Sequence, residues 1–189
     1  PAQAIVIPHI SDRVVGELAE EPLVKQFAYN PSPLYKGLVS CVGSDYCNLA
    51  VIETKRRAIE TAHVLERKLG EGLKPITLHW SGCPAGCGNH LVADIGLLGK
   101  KARVGGKVVD AVDIFVGGRS GPDPKLATKI MEDVPCDKLP AVLENLMPYH
   151  TREKMHRVRG KVASKPVADA KPASTGHDAA GRMPQPLPA

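Results

Sequence analysis

The sequence predicts an α/β (α+β) domain, a mixed sheet flanked by helices, and three observations predict it. Apolar, β-branched segments at Leu38-Val39-Ser40 and Pro75-Ile-Thr-Leu-His-Trp80 each run into a glycine-bearing loop. An amphipathic helical pattern lies between them, and Gly105-Gly106 separates two further strand-like runs. The 189 residues, 43% of them hydrophobic, suffice for one core and not obviously for two.

Taken in order, Ser11-Asp12 is a plausible N-cap for a short helix through Val14, Val15, Leu18 and Ala19, and Tyr29-Asn-Pro-Ser-Pro33 ends it. The strand Leu38–Ser40 delivers the chain to Cys41. A helix of about twenty residues is expected directly after Cys47, with apolar positions at Val51, Ile52, Ala58, Ile59, Ala62, Leu65 and Leu69 and with Gly70 as its C-cap. So placed, its N-terminal amides and dipole would face the cysteines and favour thiolates. Pro75–Trp80 reads as a strand, as do Leu91–Ile95 and Lys107–Val116, the last ended by Gly117-Gly118-Arg119. Helices near Pro124–Met131 and Asp137–Met147 are expected to cover the sheet. No internal repeat is visible.

The net charge of +5 is unevenly placed. Residues 1–150 carry 17 basic and 17 acidic side chains, and residues 151–189 carry 8 against 3. The folded part is therefore balanced, and with 4% aromatic residues and no aromatic–basic interleaving a nucleic-acid partner is not expected. No apolar run approaches membrane-spanning length, so no membrane partner is expected either. Residues 153–189 read as a basic helix end and a disordered Pro/Ala-rich tail, and the opening Pro1 suggests a fragment or a processed start.

Four of the five cysteines form two separated pairs, Cys41-x5-Cys47 and Cys83-Pro-Ala-Gly-Cys87. Thiolates are the soft ligands that iron and sulfide require, and glycines at 43, 82, 86 and 88 let backbone approach a cluster closely. Structural zinc sites usually draw on C-x2-C knuckles, which makes zinc a less natural reading without removing it. Disulfides are disfavoured by the odd cysteine total and by the lack of a secretory pattern.

Five segments occur in order: Cys41-x5-Cys47, Ile52-Glu-Thr-Lys55, His79-Trp-Ser-Gly-Cys-Pro-Ala-Gly-Cys-Gly88, Ala93-Asp-Ile-Gly96 and Val116-Gly-Gly-Arg119. Together they resemble the C-terminal portion of the siroheme-dependent nitrite and sulfite reductases over roughly residues 5 to 150, closer to the ferredoxin-dependent nitrite reductases. The resemblance implies a nitrite/sulfite reductase domain over residues 36–152, with residues 1–35 the end of a preceding ferredoxin-like half or a connecting segment. It implies a [4Fe–4S] cluster on Cys41, Cys47, Cys83 and Cys87, with the Cys87 sulfur also the axial ligand of a siroheme that Asn89 contacts. The implied activity is cytoplasmic six-electron reduction of nitrite to ammonium, drawing on ferredoxin or a similar one-electron donor. A missing N-terminal half or a second subunit would complete the enzyme. Assimilatory sulfite reduction is the nearest alternative, and a non-catalytic iron–sulfur electron-transfer module is the alternative of a different class.

No catalytic side chain is carried over, because the family's anion-binding basic residues lie in the half that is missing here. Lys100, Lys101, Arg103 and Arg119 are read as solvated surface residues. Ala85 stands where relatives often have asparagine. Cys136 reads as a small packed residue, and His79 and His90 as structural hydrogen-bonding groups before proton donors. Trp80 either shields the cluster or belongs to the core.

Overall fold

The computed structural model describes residues 5–148, apart from 28, 71, 72 and 74; the expected C-terminal tail and the start of the chain lie outside the described residues. Three short helices open it: α1 (Asp12–Glu20), α2 (Pro22–Lys25) and α3 (Pro33–Lys36). Pro33 at the first helical position and the Ser32 hydroxyl, which accepts from the Tyr35 N–H at 3.2 Å, start α3, and its Leu34 is fully buried.

The sheet has five strands in sequential order: β1 (Leu38–Ser40), β2 (Leu78–Ser81), β3 (Ile95–Val104), β4 (Lys107–Val116) and β5 (Thr128–Pro135). β1, β2 and β3 are parallel, whereas β3–β4 and β4–β5 are antiparallel. Parallel neighbours need crossovers of a dozen or more residues. The crossover from β1 to β2 contains the helix α4 (Lys55–Leu69), and that from β2 to β3 carries a 3-10 turn, His90–Val92.

β4 occupies the residues expected for it, Gly105-Gly106 forms the hairpin turn with both glycines at positive φ, and Gly70 caps α4 at φ 56°. Three expectations are corrected. The helix after Cys47 begins at Lys55, because Val51 is drawn to the second cysteine loop through Val51 N–H→Gly82 O at 2.8 Å and the Glu53 carboxylate ends the loop. That carboxylate accepts the amides of Arg56 and Arg57 at 2.8 and 3.2 Å, so an acidic side chain, and no thiol, takes these amides. Of Leu91–Ile95 only Ile95 is strand, as the first residue of the longer β3, which continues through Gly96 and Gly99; the residues before it form the 3-10 turn and a bend. Pro124–Met131 is not helical; from Thr128 the chain pairs with β4 as an edge strand, with register shifts near Ile114. The helical expectation for Asp137–Met147 becomes a 3-10 turn, Cys136–Lys138, followed by helix at 139–148.

One face of the sheet carries the core: Leu78 and Trp80 of β2, Leu97 of β3 and Ile114 of β4 pack with Leu65 of α4 and Leu143 of the last helix. Side chains alternate across a strand, so His79 and Ser81 of β2 are directed to the opposite face. There the register aligns His79, Gly96 and Phe115 in one row. The missing side chain of Gly96 leaves room for the backbone of the 3-10 turn, since a β-carbon there would lie 1.9 Å from the His90 carbonyl oxygen. His90 is thereby seated against Phe115, ring centroids 5.1 Å apart in an edge-on arrangement.

Candidate metal centre

The parallel pairing of β1 and β2 decides the geometry, because it brings two loops out at the same end of the sheet. Ser40 lies opposite Trp80, and the Cys41 N–H continues the ladder to the Trp80 carbonyl at 3.0 Å. Ligands of open α/β sheets sit beyond the carboxyl ends of the strands. Both cysteine pairs emerge there.

The first loop is folded on itself and onto the second. Gly43, at φ 72°, accepts the Cys47 N–H at 2.9 Å, and a β-carbon at Gly43 would lie 2.6 Å from the Thr54 nitrogen. Thr54 is fully buried; its hydroxyl donates to the Cys41 carbonyl at 2.7 Å and lies 3.6 Å from the Cys41 sulfur. The Gly82 N–H donates to that same sulfur at 3.1 Å. The first loop and the second are thus joined directly at a thiol.

The second loop lies back on the outer face of β2. Gly86 N–H→Cys83 O at 3.2 Å and Asn89 N–H→Gly86 O at 2.8 Å form consecutive turns around Cys87, and Asn89 adopts a left-handed conformation at φ 54°. Ser81 Oγ accepts the Gly88 N–H at 3.2 Å and lies 2.9 Å from His90 Nδ1. His79 Nδ1 donates to the Asn89 carbonyl at 3.1 Å. Burial pushes the pKa of both histidines below the ordinary imidazole value, and each ring is engaged in a hydrogen bond.

All five thiols are free: Cys41, Cys47 and Cys83 are partly buried and Cys87 is exposed. Cys136 is buried within the core cluster, where desolvation pushes its pKa up to about 11, as its reading as a packed residue requires. Among the described residues no three Cys, His, Asp or Glu side chains are gathered closely enough to hold a single metal ion. Four thiols on two adjoining loops have the donor chemistry that a [4Fe–4S] cluster would require, each thiolate taking a different iron.

Trp80 is 1% exposed and belongs to the core. Lys100 pairs with Asp113 and Asp133 at 3.2 and 2.7 Å, Lys101 with Asp110, and Arg119 with Asp123, so three of the four basic residues near the motifs are engaged in ion pairs, and Arg103 is exposed. Sequence reasoning passed over Ser81. A serine before Gly-Cys carries no signal, and its role emerges only when the loop folds back across the strand.

The family described as the nitrite and sulphite reductase 4Fe-4S domain matches residues 36–163. This chain belongs to that family. Ferredoxin–nitrite reductase of Synechococcus elongatus is 48% identical over 145 residues, which is 77% of this chain and 28% of that protein. The chloroplastic ferredoxin–nitrite reductase of Oryza sativa is 44% identical over 146 residues, covering 77% and 24%. An assimilatory ferredoxin-dependent nitrite reductase of Haloferax mediterranei is 33% identical over 144 residues, covering 75% and 25%. The solved structure of the Mycobacterium tuberculosis NirA protein superposes with a TM-score of 0.66 at 26% identity, over 85% of this chain and 29% of that one. The chain thus spans about a quarter of the length of these relatives. No described helix is long and apolar enough to cross a membrane.

Proposed function

We propose that this chain is the cluster-bearing part of an assimilatory, ferredoxin-dependent nitrite reductase, with residues 36–152 as its reductase domain. Cys41, Cys47, Cys83 and Cys87 hold the [4Fe–4S] cluster, and Cys87 also presents its sulfur to a siroheme edged by Asn89. The observation that carries this reading is the exposure of Cys87, which alone among the four thiols opens to solvent beside Asn89 while the others are partly covered. A sulfur shared between two cofactors has to face both.

When bound, siroheme coupled to the cluster supplies the six-electron chemistry that takes nitrite to ammonium. This chain's own residues hold and orient. Thr54 and Gly82 fix Cys41, the turns around Gly86 present Cys83 and Cys87, and His79 and His90 brace the second loop. Lys100, Lys101 and Arg119 are engaged in ion pairs, and in this reading the basic groups that bind the anion belong to another part of the complete enzyme, in the same longer protein or in a second subunit. Ferredoxin or a similar one-electron donor is the partner, and a cytoplasmic location belongs to the same reading, although several relatives are named as chloroplastic.

Anaerobic purification with an absorption spectrum and iron, sulfide and zinc analysis tests the assignment. Broad cluster absorption with siroheme bands is expected; stoichiometric zinc without sulfide would overturn it. Reduction of sulfite in preference to nitrite by the completed enzyme would move the substrate to the sulfite alternative.

A further inference from the structure

The Cys87–Gly88 peptide is held from one side by a buried polar pair. Its N–H donates to Ser81 Oγ at 3.2 Å, and Ser81 Oγ in turn meets His90 Nδ1 at 2.9 Å. Ser81 is 1% and His90 6% exposed, so neither exchanges its partner for water. The imidazole is itself immobilised, its ring against Phe115 and its backbone over Gly96. Gly88 lies so close to β2 that a β-carbon would fall 1.9 Å from the Trp80 carbonyl oxygen, which leaves the peptide little room to rotate. The carbonyl of Asn89, the next residue, is held by His79.

We propose that Ser81 and His90 are positioning residues that lock the Cys87–Gly88 peptide plane and thereby set the direction in which the Cys87 sulfur points. The inference rests on the reading of Cys87 as a cluster ligand. Cys87 itself is exposed, so protein packing around its side chain does little to orient it; the orientation comes from its backbone, and the backbone is fastened through this pair. Groups that orient a ligand alter metal retention and the electronic environment of the site even though they do not touch the metal.

The 189-residue chain, reconstituted anaerobically with ferrous iron and sulfide, tests this with Ser81→Ala, His90→Phe and His90→Asn. Iron and sulfide content, the low-temperature electron paramagnetic resonance of the dithionite-reduced cluster and the rate of iron loss to a ferrous chelator are measured, with circular dichroism to establish folding. Ser81→Ala and His90→Phe are expected to show shifted g values and iron loss faster by on the order of tenfold. His90→Asn, whose amide occupies the place of Nδ1, is expected to restore the parent signal. Parent-like spectra and rates in Ser81→Ala and His90→Phe would overturn the proposal, as would an Asn variant as disturbed as the Phe variant. Ser81→Ala removes a single oxygen and keeps the test decisive if His90→Phe does not fold. A parent chain that takes up no iron and sulfide would overturn the ligand assignment first, and the positioning role with it.

Discussion

The Gly82 N–H donates to the Cys41 sulfur at 3.1 Å, so a backbone amide of the second cysteine loop serves a thiol of the first. Hydrogen bonds to cluster sulfurs stabilise negative charge on them and raise the reduction potential. Serine at any one of Cys41, Cys47, Cys83 or Cys87 is expected to cut iron and sulfide content to less than about half, since the proposed [4Fe–4S] cluster takes four cysteines. Cys136→Ser is expected to retain full content, because that residue is packed in the core. Metal and sulfide analysis of the five variants checks both statements.

Thr54 ties the start of α4 to the first loop by donating to the Cys41 carbonyl at 2.7 Å from a fully buried position. Thr54→Val leaves that carbonyl without its partner and is expected to lower stability by about 1–2 kcal/mol, whereas Thr54→Ser keeps the hydroxyl and much of the stability. Urea unfolding midpoints of the two variants distinguish them.

Glycine matters in opposite ways at two positions. At Gly88 a β-carbon would meet the Trp80 carbonyl oxygen at 1.9 Å, a backbone clash that no rotamer relieves, and Gly88→Ala is expected to cost about 3 kcal/mol or to prevent folding. Gly16 in α1 has nothing within 4 Å of such a carbon, and Gly16→Ala is expected to stabilise by about 1 kcal/mol through helix propensity. Thermal unfolding of both should move in opposite directions.

Asp110 gives the stability an acid dependence. Burial alone would raise its pKa, but Lys101 and the Arg57 guanidinium, at 2.8 Å, outweigh burial and hold the carboxyl below its ordinary value. The unfolded chain therefore takes up this proton more readily. The contribution is fully present above the ordinary aspartate pKa, near 3.9, and is lost as pH falls through the lower folded value. Asp110→Asn is expected to remove about 1 kcal/mol near neutral pH and to flatten the acid limb of the stability curve. Denaturant titrations from pH 7 to pH 3 measure it.

Much of this architecture is legible in the residues. β1, β4, the Gly105-Gly106 turn and the Gly70 cap follow from local patterns, and the two cysteine pairs stand out in the sequence before the fold brings their loops together. The errors arise where a distant partner overrides local preference. Ile52 has the apolar character of a helix face, yet it packs over Gly99 of β3 from an irregular segment, and a β-carbon at Gly99 would lie 2.5 Å from it. The same glycine, with Gly96, disguises β3, because each is small to admit a neighbour and neither favours a strand by itself. Residues 128–131 become strand because β4 offers them a free edge, which is a fact of topology. The Ser81–His90 pair is hidden for the same reason, being made by a loop that turns back over its own strand.

The parallel pairing of β1 and β2 has a consequence for the order of events in biosynthesis. The two thiols of the first loop are translated well before those of the second, with the whole of α4 between them, and they acquire their neighbours only when the crossover closes. Long-range parallel pairing is among the slower steps of folding. A nascent chain therefore presents Cys41 and Cys47 before the strand leading to Cys83 and Cys87 has been made, and the two cysteine loops adjoin only once β2 has paired with β1.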